Sequence, residues 1–229
     1  MIQRVSWVAA AVVAVVIGLV AFVGLFMLRQ PGPLEGTTTK LHLETVAAVG
    51  QALEWPRPND PHPDWVGYLP TTTWTVPANS TIQVQIDQED GASGLRNPFW
   101  GKVFGTEGGN MHITFFDDKG NPQEGDMTSI DPTQAAHTFA IPDLGVFVPL
   151  LGVNANAPAG STNVITFSFK TKGPGRYRWQ CFVPCAAKTI FGNGGPMQTI
   201  GYMGGTLIVT YPWDCSASRQ ATGRTCGGS

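Results

Sequence analysis

The stretch GPGRYRWQCFVPCAAKTIFGNGGPMQTIGYMGGTLIVTY, residues 173–211, decides how the rest of the chain reads. A strand-like run at 176–179 leads into Cys181 and Cys185. A Gly/Pro-rich loop with Met197 and Met203 follows, then a β-branched run at 206–209. Soft thiolate and thioether donors on a loop held between two strands suit copper better than a hard cation. The loop carries no imidazole, and the candidate supplier is His137 in AAHTFAIP, whose apolar density predicts a buried strand. A lone histidine there also reads as a hydrogen-bonded core residue. Between His137 and the loop lies VITFSFK (164–170), with Ile165, Phe167 and Phe169 alternating on one face. His137 and Cys181 are therefore expected on separate strands of one sandwich.

Bulk composition agrees with strands. Only 13% of the 229 residues are charged, against about 25% in ordinary globular domains. The 28 glycines and 18 prolines mark a chain of strands and turns, so an all-β class is expected. The net charge of −2, without a Lys/Arg block, leaves nothing to attract nucleic acid. No Ser/His/Asp or Cys/His arrangement with an orienting carboxylate is visible, so hydrolysis has no support.

Towards the N-terminus, residues 5–28 are uncharged and mostly aliphatic. At 1.5 Å per residue a helix of that length spans about 36 Å, enough to cross a hydrocarbon core of about 30 Å. One transmembrane anchor over residues 1–30 is expected, with the N-terminus inside and the domain outside. A cleaved signal peptide fits less well, because its apolar run is usually shorter. Residues 31–70 read as a stalk and Pro-rich linker. Within them LHLETVAAVGQAL (41–53) is expected as a short helix near the membrane, and WPRPNDPHPDW (55–65), with four prolines, as irregular. His42 and His62 fall here and read as exposed bystanders.

The folded domain is expected over 71–212. TIQVQIDQ alternates Ile82, Val84 and Ile86 with polar positions, and MHITFFD (111–117) is a second strand whose His112 reads as structural. The stretch 91–110 is an insertion with no assigned structure. In the tail, 213–229, Cys215 and Cys226 stand eleven residues apart and are expected to pair as a disulfide in an oxidising compartment.

A histidine in HTFAIP, a strand, G-R-Y-R-W-Q-C, and a methionine ahead of G-G-T-L-I-V together resemble the ordered signature of cupredoxin domains. The spacing Cys181-Phe-Val-Pro-Cys185 resembles the domain of cytochrome c oxidase subunit II that carries the binuclear CuA centre. A single N-terminal helix is similar to subunit II of the shorter, ba3-type oxidases. The resemblance covers about residues 130–211. It implies a cupredoxin-like Greek-key β-sandwich behind one transmembrane helix. It also implies copper ligands at His137, Cys181, Cys185 and Met203, with Met197 as the rival methionine and the Val183 carbonyl completing the shell. The family's second histidine falls where this chain has Thr189, and no histidine follows His137.

Three functions remain open on these residues. The first is a membrane-anchored, extracytoplasmic electron-transfer subunit with a CuA-like or mononuclear copper. It would accept electrons from an extracytoplasmic carrier and pass them to a membrane-embedded oxidase or other respiratory complex. The second is a metal-free cupredoxin acting as a structural or docking subunit, with Cys181 and Cys185 closed as a disulfide. The third is a copper-handling module.

Overall fold

The computed structural model describes residues 38–50, 63–185, 195–197 and 199–211. The apolar stretch 5–28, most of the Pro-rich segment with His62, Thr189, and the tail with Cys215 and Cys226 lie outside them. Among the described residues no helix is long and apolar enough to cross a membrane.

Eleven strands form among the described residues: β1 (Thr39–Val46), β2 (Gly67–Leu69), β3 (Thr73–Pro77), β4 (Thr81–Gln88), β5 (Met111–Phe116), β6 (Pro122–Met127), β7 (Ala135–Ile141), β8 (Val146–Leu151), β9 (Asn163–Lys170), β10 (Gly175–Gln180) and β11 (Gly204–Thr210). They divide into a six-stranded sheet, β2-β1-β4-β9-β5-β6, and a five-stranded sheet, β3-β11-β10-β7-β8. The all-β expectation is met. The alternation that predicted β4 and β9 now has a cause: the two pair antiparallel with Ile82 opposite Phe169, Val84 opposite Phe167 and Ile86 opposite Ile165. All six side chains point into the core, because one face of each strand must leave water.

One expectation is corrected. Residues 41–53 do not begin as a helix: residues 39–46 are β1, which pairs in parallel with β4. Leu41, Leu43 and Thr45 are buried while His42 and Glu44 face outward. That is a period of two, and a short apolar run fits either period until a neighbour decides it. Tyr68 of β2 is also fully buried. The sheet therefore recruits strands from inside the stretch read as stalk and linker.

The core nearest the sulfur loop is aromatic. Trp179 of β10 stacks on Trp74 with ring centroids 4.5 Å apart and meets Tyr68 edge-on at 4.8 Å. Phe139 lies 5.9 Å away on β7. The indole N–H of Trp179 donates to the Thr72 carbonyl at 2.9 Å, so this large ring is buried without an orphaned donor. Gly205 sits where β11 crosses the backbone of Thr72, leaving no room for a Cβ.

Candidate metal centre

β7 and β10 lie side by side in the five-stranded sheet, and their paired ends bring the chemistry together. The β7–β8 register slips between Ala135 and His137. A bulge of this kind re-aims a side chain, here at the start of a strand whose seven residues are all buried. β10 ends at Gln180, opposite Ala140, and Cys181 follows at once. The Cys181 N–H donates to the Met203 carbonyl at 2.8 Å, and the Met203 N–H donates to the Pro196 carbonyl at 3.1 Å. The Phe182 N–H donates to Thr138 Oγ1 at 2.8 Å. The loop is thus tied to β7 and to the entry of β11.

Three ligating atoms converge. His137 Nδ1 stands 3.2 Å from Cys185 Sγ and 3.9 Å from Cys181 Sγ, and the two sulfurs are 3.1 Å apart. All three side chains are buried, and their ligand atoms lie within 4.8 Å of one another, the one such group among the described residues. The Val183 carbonyl faces both sulfurs, at 3.0 Å from Cys185 and 3.4 Å from Cys181. The Thr138 N–H donates to Cys181 Sγ at 3.4 Å. The disulfide alternative for this pair is not formed, since both thiols are free.

Of the other expected residues, Met203 is fully buried in the same apolar cluster as both cysteines, and Met197 packs partly buried against that cluster. His42 and His112 point away from the site. They pair with Asp87 at 2.8 Å and Asp126 at 2.9 Å on the exposed face of the six-stranded sheet, as bystanders should.

One residue escaped the sequence reading. Asp90, just beyond β4, accepts from His137 Nε2 at 2.7 Å. A carboxylate can only accept, so Nε2 holds a proton and Nδ1 is the nitrogen turned to the sulfurs. Asp90 is itself held by its carbonyl, which accepts from Gln88 Nε2 at 2.8 Å and the Val153 N–H at 2.9 Å. In sequence it is one of several acids in DQEDG, and only the β4–β9 pairing and the 90–153 contact carry it to His137.

Charge follows from this packing. Burial alone pushes the His137 imidazole down, but the Asp90 hydrogen bond and then Cys181 outweigh it, raising its pKa from 6.5 to about 9. Burial likewise pushes Cys181 up, yet hydrogen bonds from Cys185 and His137 bring its thiol well below the ordinary range. Cys185 moves up instead, because it donates to Cys181 and is buried beside that charge. Burial and then the two cysteines hold the Tyr68 phenol neutral. Without metal the packing favours an imidazolium at His137 and the thiolate form at Cys181, and the thiol form at Cys185.

This arrangement has a pH signature. The folded-state pKa of His137 lies above its unfolded value, so its contribution to stability is complete below about pH 6.5 and fades as pH rises through 9. Cys181, held well below its ordinary value, contributes in the opposite sense, its stabilisation growing as pH rises towards its unfolded value, so the two offset and the metal-free native protein is expected to show a nearly flat profile over that interval. Asp90→Asn should lower stability most at the acid end of the range and less as pH rises towards 9, because the amide cannot hold the imidazolium as a carboxylate does. Thermal unfolding of both proteins at intervals from pH 6 to pH 9.5 measures it, and parallel curves would count against the His137–Asp90 pair.

No protein-family model matches the chain, and no curated protein matches its sequence. Among solved structures it is similar to the periplasmic domain of subunit II of cytochrome oxidase (CoxB) of Bradyrhizobium japonicum, with 16% identity over 82% of this chain and 94% of that one and a TM-score of 0.35. It is also similar to auracyanin from Roseiflexus castenholzii, with 15% identity, 76% and 99% coverage and a TM-score of 0.32. Rusticyanin from Thiobacillus ferrooxidans gives 17% identity, 77% and 79% coverage and a TM-score of 0.29. The described domain is a two-sheet β fold with one shared core, carrying a histidine on β7, two cysteines after β10 and a methionine before β11.

Proposed function

We propose that this chain is a copper electron-transfer protein, anchored by residues 5–28 with its domain on the extracytoplasmic side. In this reading it serves a membrane respiratory complex of the oxidase type as a subunit II-like component. The observation that carries the copper assignment is the convergence of His137 Nδ1, Cys181 Sγ and Cys185 Sγ in one buried pocket, with the Val183 carbonyl facing both sulfurs. The donor set suits the ion: two thiolates and an imidazole are soft to borderline ligands that favour copper over magnesium or calcium. Bound copper supplies a one-electron couple.

The chain's own residues do the rest. Cys181, Cys185 and His137 provide the donors, and Asp90 fixes the imidazole so that Nδ1 faces inward. Cys185 and His137 must give up protons when metal enters, so uptake releases acid and strengthens with pH. Trp179, Tyr68 and Phe139 keep water out from below. Strands on both sides hold the ligands, so the geometry changes little with oxidation state.

The test is to load the full chain with copper and record bound copper, free thiols, visible spectrum and reversible one-electron reduction together. Copper bound with loss of both free thiols, and a colour that bleaches on reduction, is expected. A colourless chain whose two thiols oxidise to a disulfide would favour the metal-free docking subunit instead.

A further inference from the structure

The pocket around the sulfurs offers fewer donors than the binuclear resemblance implies, and their number and spacing decide how much metal it holds. The chain has four histidines. His42 and His112 are exposed on the outer face of the six-stranded sheet, paired with Asp87 and Asp126. The register sets both in one cross-strand row, His42 beside Gln85, Gln85 beside Thr166 and Thr166 beside His112. That row lies across the sheet from the core in which the two cysteines are buried. His62 lies outside the described residues. Among the described residues His137 is therefore the one imidazole brought to the thiols.

The three converging atoms are spaced for a single ion. Their triangle, 3.1 Å between the sulfurs and 3.2 and 3.9 Å from Nδ1, fits a circle of radius about 2.0 Å, against bonds of about 2.0–2.3 Å from nitrogen and sulfur to an ion such as zinc. One ion near its centre meets all three donors after a small outward shift. A second ion would have to lie across the sulfur–sulfur line from His137, and both sulfurs would then have to bridge.

Cys181 is not built as a bridge. A thiolate sulfur carries three lone pairs, and Cys181 Sγ accepts from the Thr138 N–H at 3.4 Å and from the Thr138 hydroxyl at 3.9 Å. One lone pair is left for metal. The two donor protons also set positive charge against the sulfur that a second cation would have to approach. Thr138 is held in this pose, because it is fully buried on β7 and its Oγ1 accepts from the Phe182 N–H at 2.8 Å.

We infer that the site holds one copper ion between His137 Nδ1, Cys181 Sγ and Cys185 Sγ, and not the thiolate-bridged pair of the family that the sequence resembles. This rests on the copper reading above and fixes its stoichiometry. The electron that the centre exchanges is then localised on one nucleus.

The test titrates the full chain with copper and reads three things: bound copper per chain after dialysis against a weak chelator, intact mass under native conditions, and electron paramagnetic resonance of the oxidised form. Uptake is expected to stop at one copper per chain, with hyperfine splitting from a single copper nucleus. Any further copper should bind at least about 100-fold more weakly than the first and leave with the chelator. His62→Ala should bind the same amount with the same spectrum, since the three buried donors suffice. Two coppers per chain with splitting shared between two nuclei would overturn the single-ion inference and leave the copper electron-transfer reading standing. Loss of copper from a His62→Ala chain whose near-ultraviolet dichroism is unchanged would overturn it too, because the donor set would then extend beyond these three atoms. A chain that takes up no copper overturns the underlying reading and this inference with it.

Discussion

Cys181→Ser is expected to abolish the copper centre while leaving the fold in place. The thiol is fully buried, accepts from the Thr138 N–H and lies within reach of both His137 and Cys185. A serine hydroxyl fits the volume, yet it is a hard donor that stays protonated near neutral pH, so the soft pair is broken. Loss of an outer partner typically costs 10–100-fold in metal affinity, and loss of this donor should exceed about 100-fold on that scale. Copper retained after dialysis against a weak chelator measures it. His137→Ala should act in the same direction, and in addition leave the Asp90 carboxylate without its imidazole. If copper stays bound with equal affinity in Cys181→Ser, the thiolate pair is not the binding site.

Trp179→Ala should have the largest effect on stability. The ring is fully buried against Trp74, Tyr68 and Phe139, and its N–H is satisfied by Thr72. Removing it leaves a large void that the flanking strands cannot close. A loss of about 3–5 kcal/mol in urea unfolding is expected. Trp179→Phe keeps much of the volume and leaves the Thr72 carbonyl its bond from the Thr206 N–H at 3.0 Å, so it should cost less, roughly 1–2 kcal/mol. Because Trp179 is two residues from Cys181, the alanine variant should also weaken copper binding. Equal midpoints for native and alanine proteins would show that this aromatic stack does not hold the core.

Much of this architecture was written in local pattern. Ile82, Val84 and Ile86, and their partners Ile165, Phe167 and Phe169, alternate too regularly to be anything but strands packed on one core. Residues 135–141 and 173–211 announced their strands by apolar density and by the sulfur loop between them. Tertiary contact decided the rest. β1 was missed because only Leu41 and Leu43 show the alternation before the run Val46-Ala-Ala-Val49 suggests a helix, and β4 lying alongside decides it. Asp90 was invisible because nothing within DQEDG distinguishes it from Glu89 or Asp87. Its role follows from Gln88 and Val153, which fix its backbone, and from the bulge at His137.

The most direct measurement is copper K-edge X-ray absorption on the loaded chain, oxidised and reduced. The account predicts scattering from two sulfurs and one imidazole nitrogen at each oxidation state, with little change in metal–ligand distance between them. A shell of oxygen or nitrogen alone, with no sulfur, would contradict it.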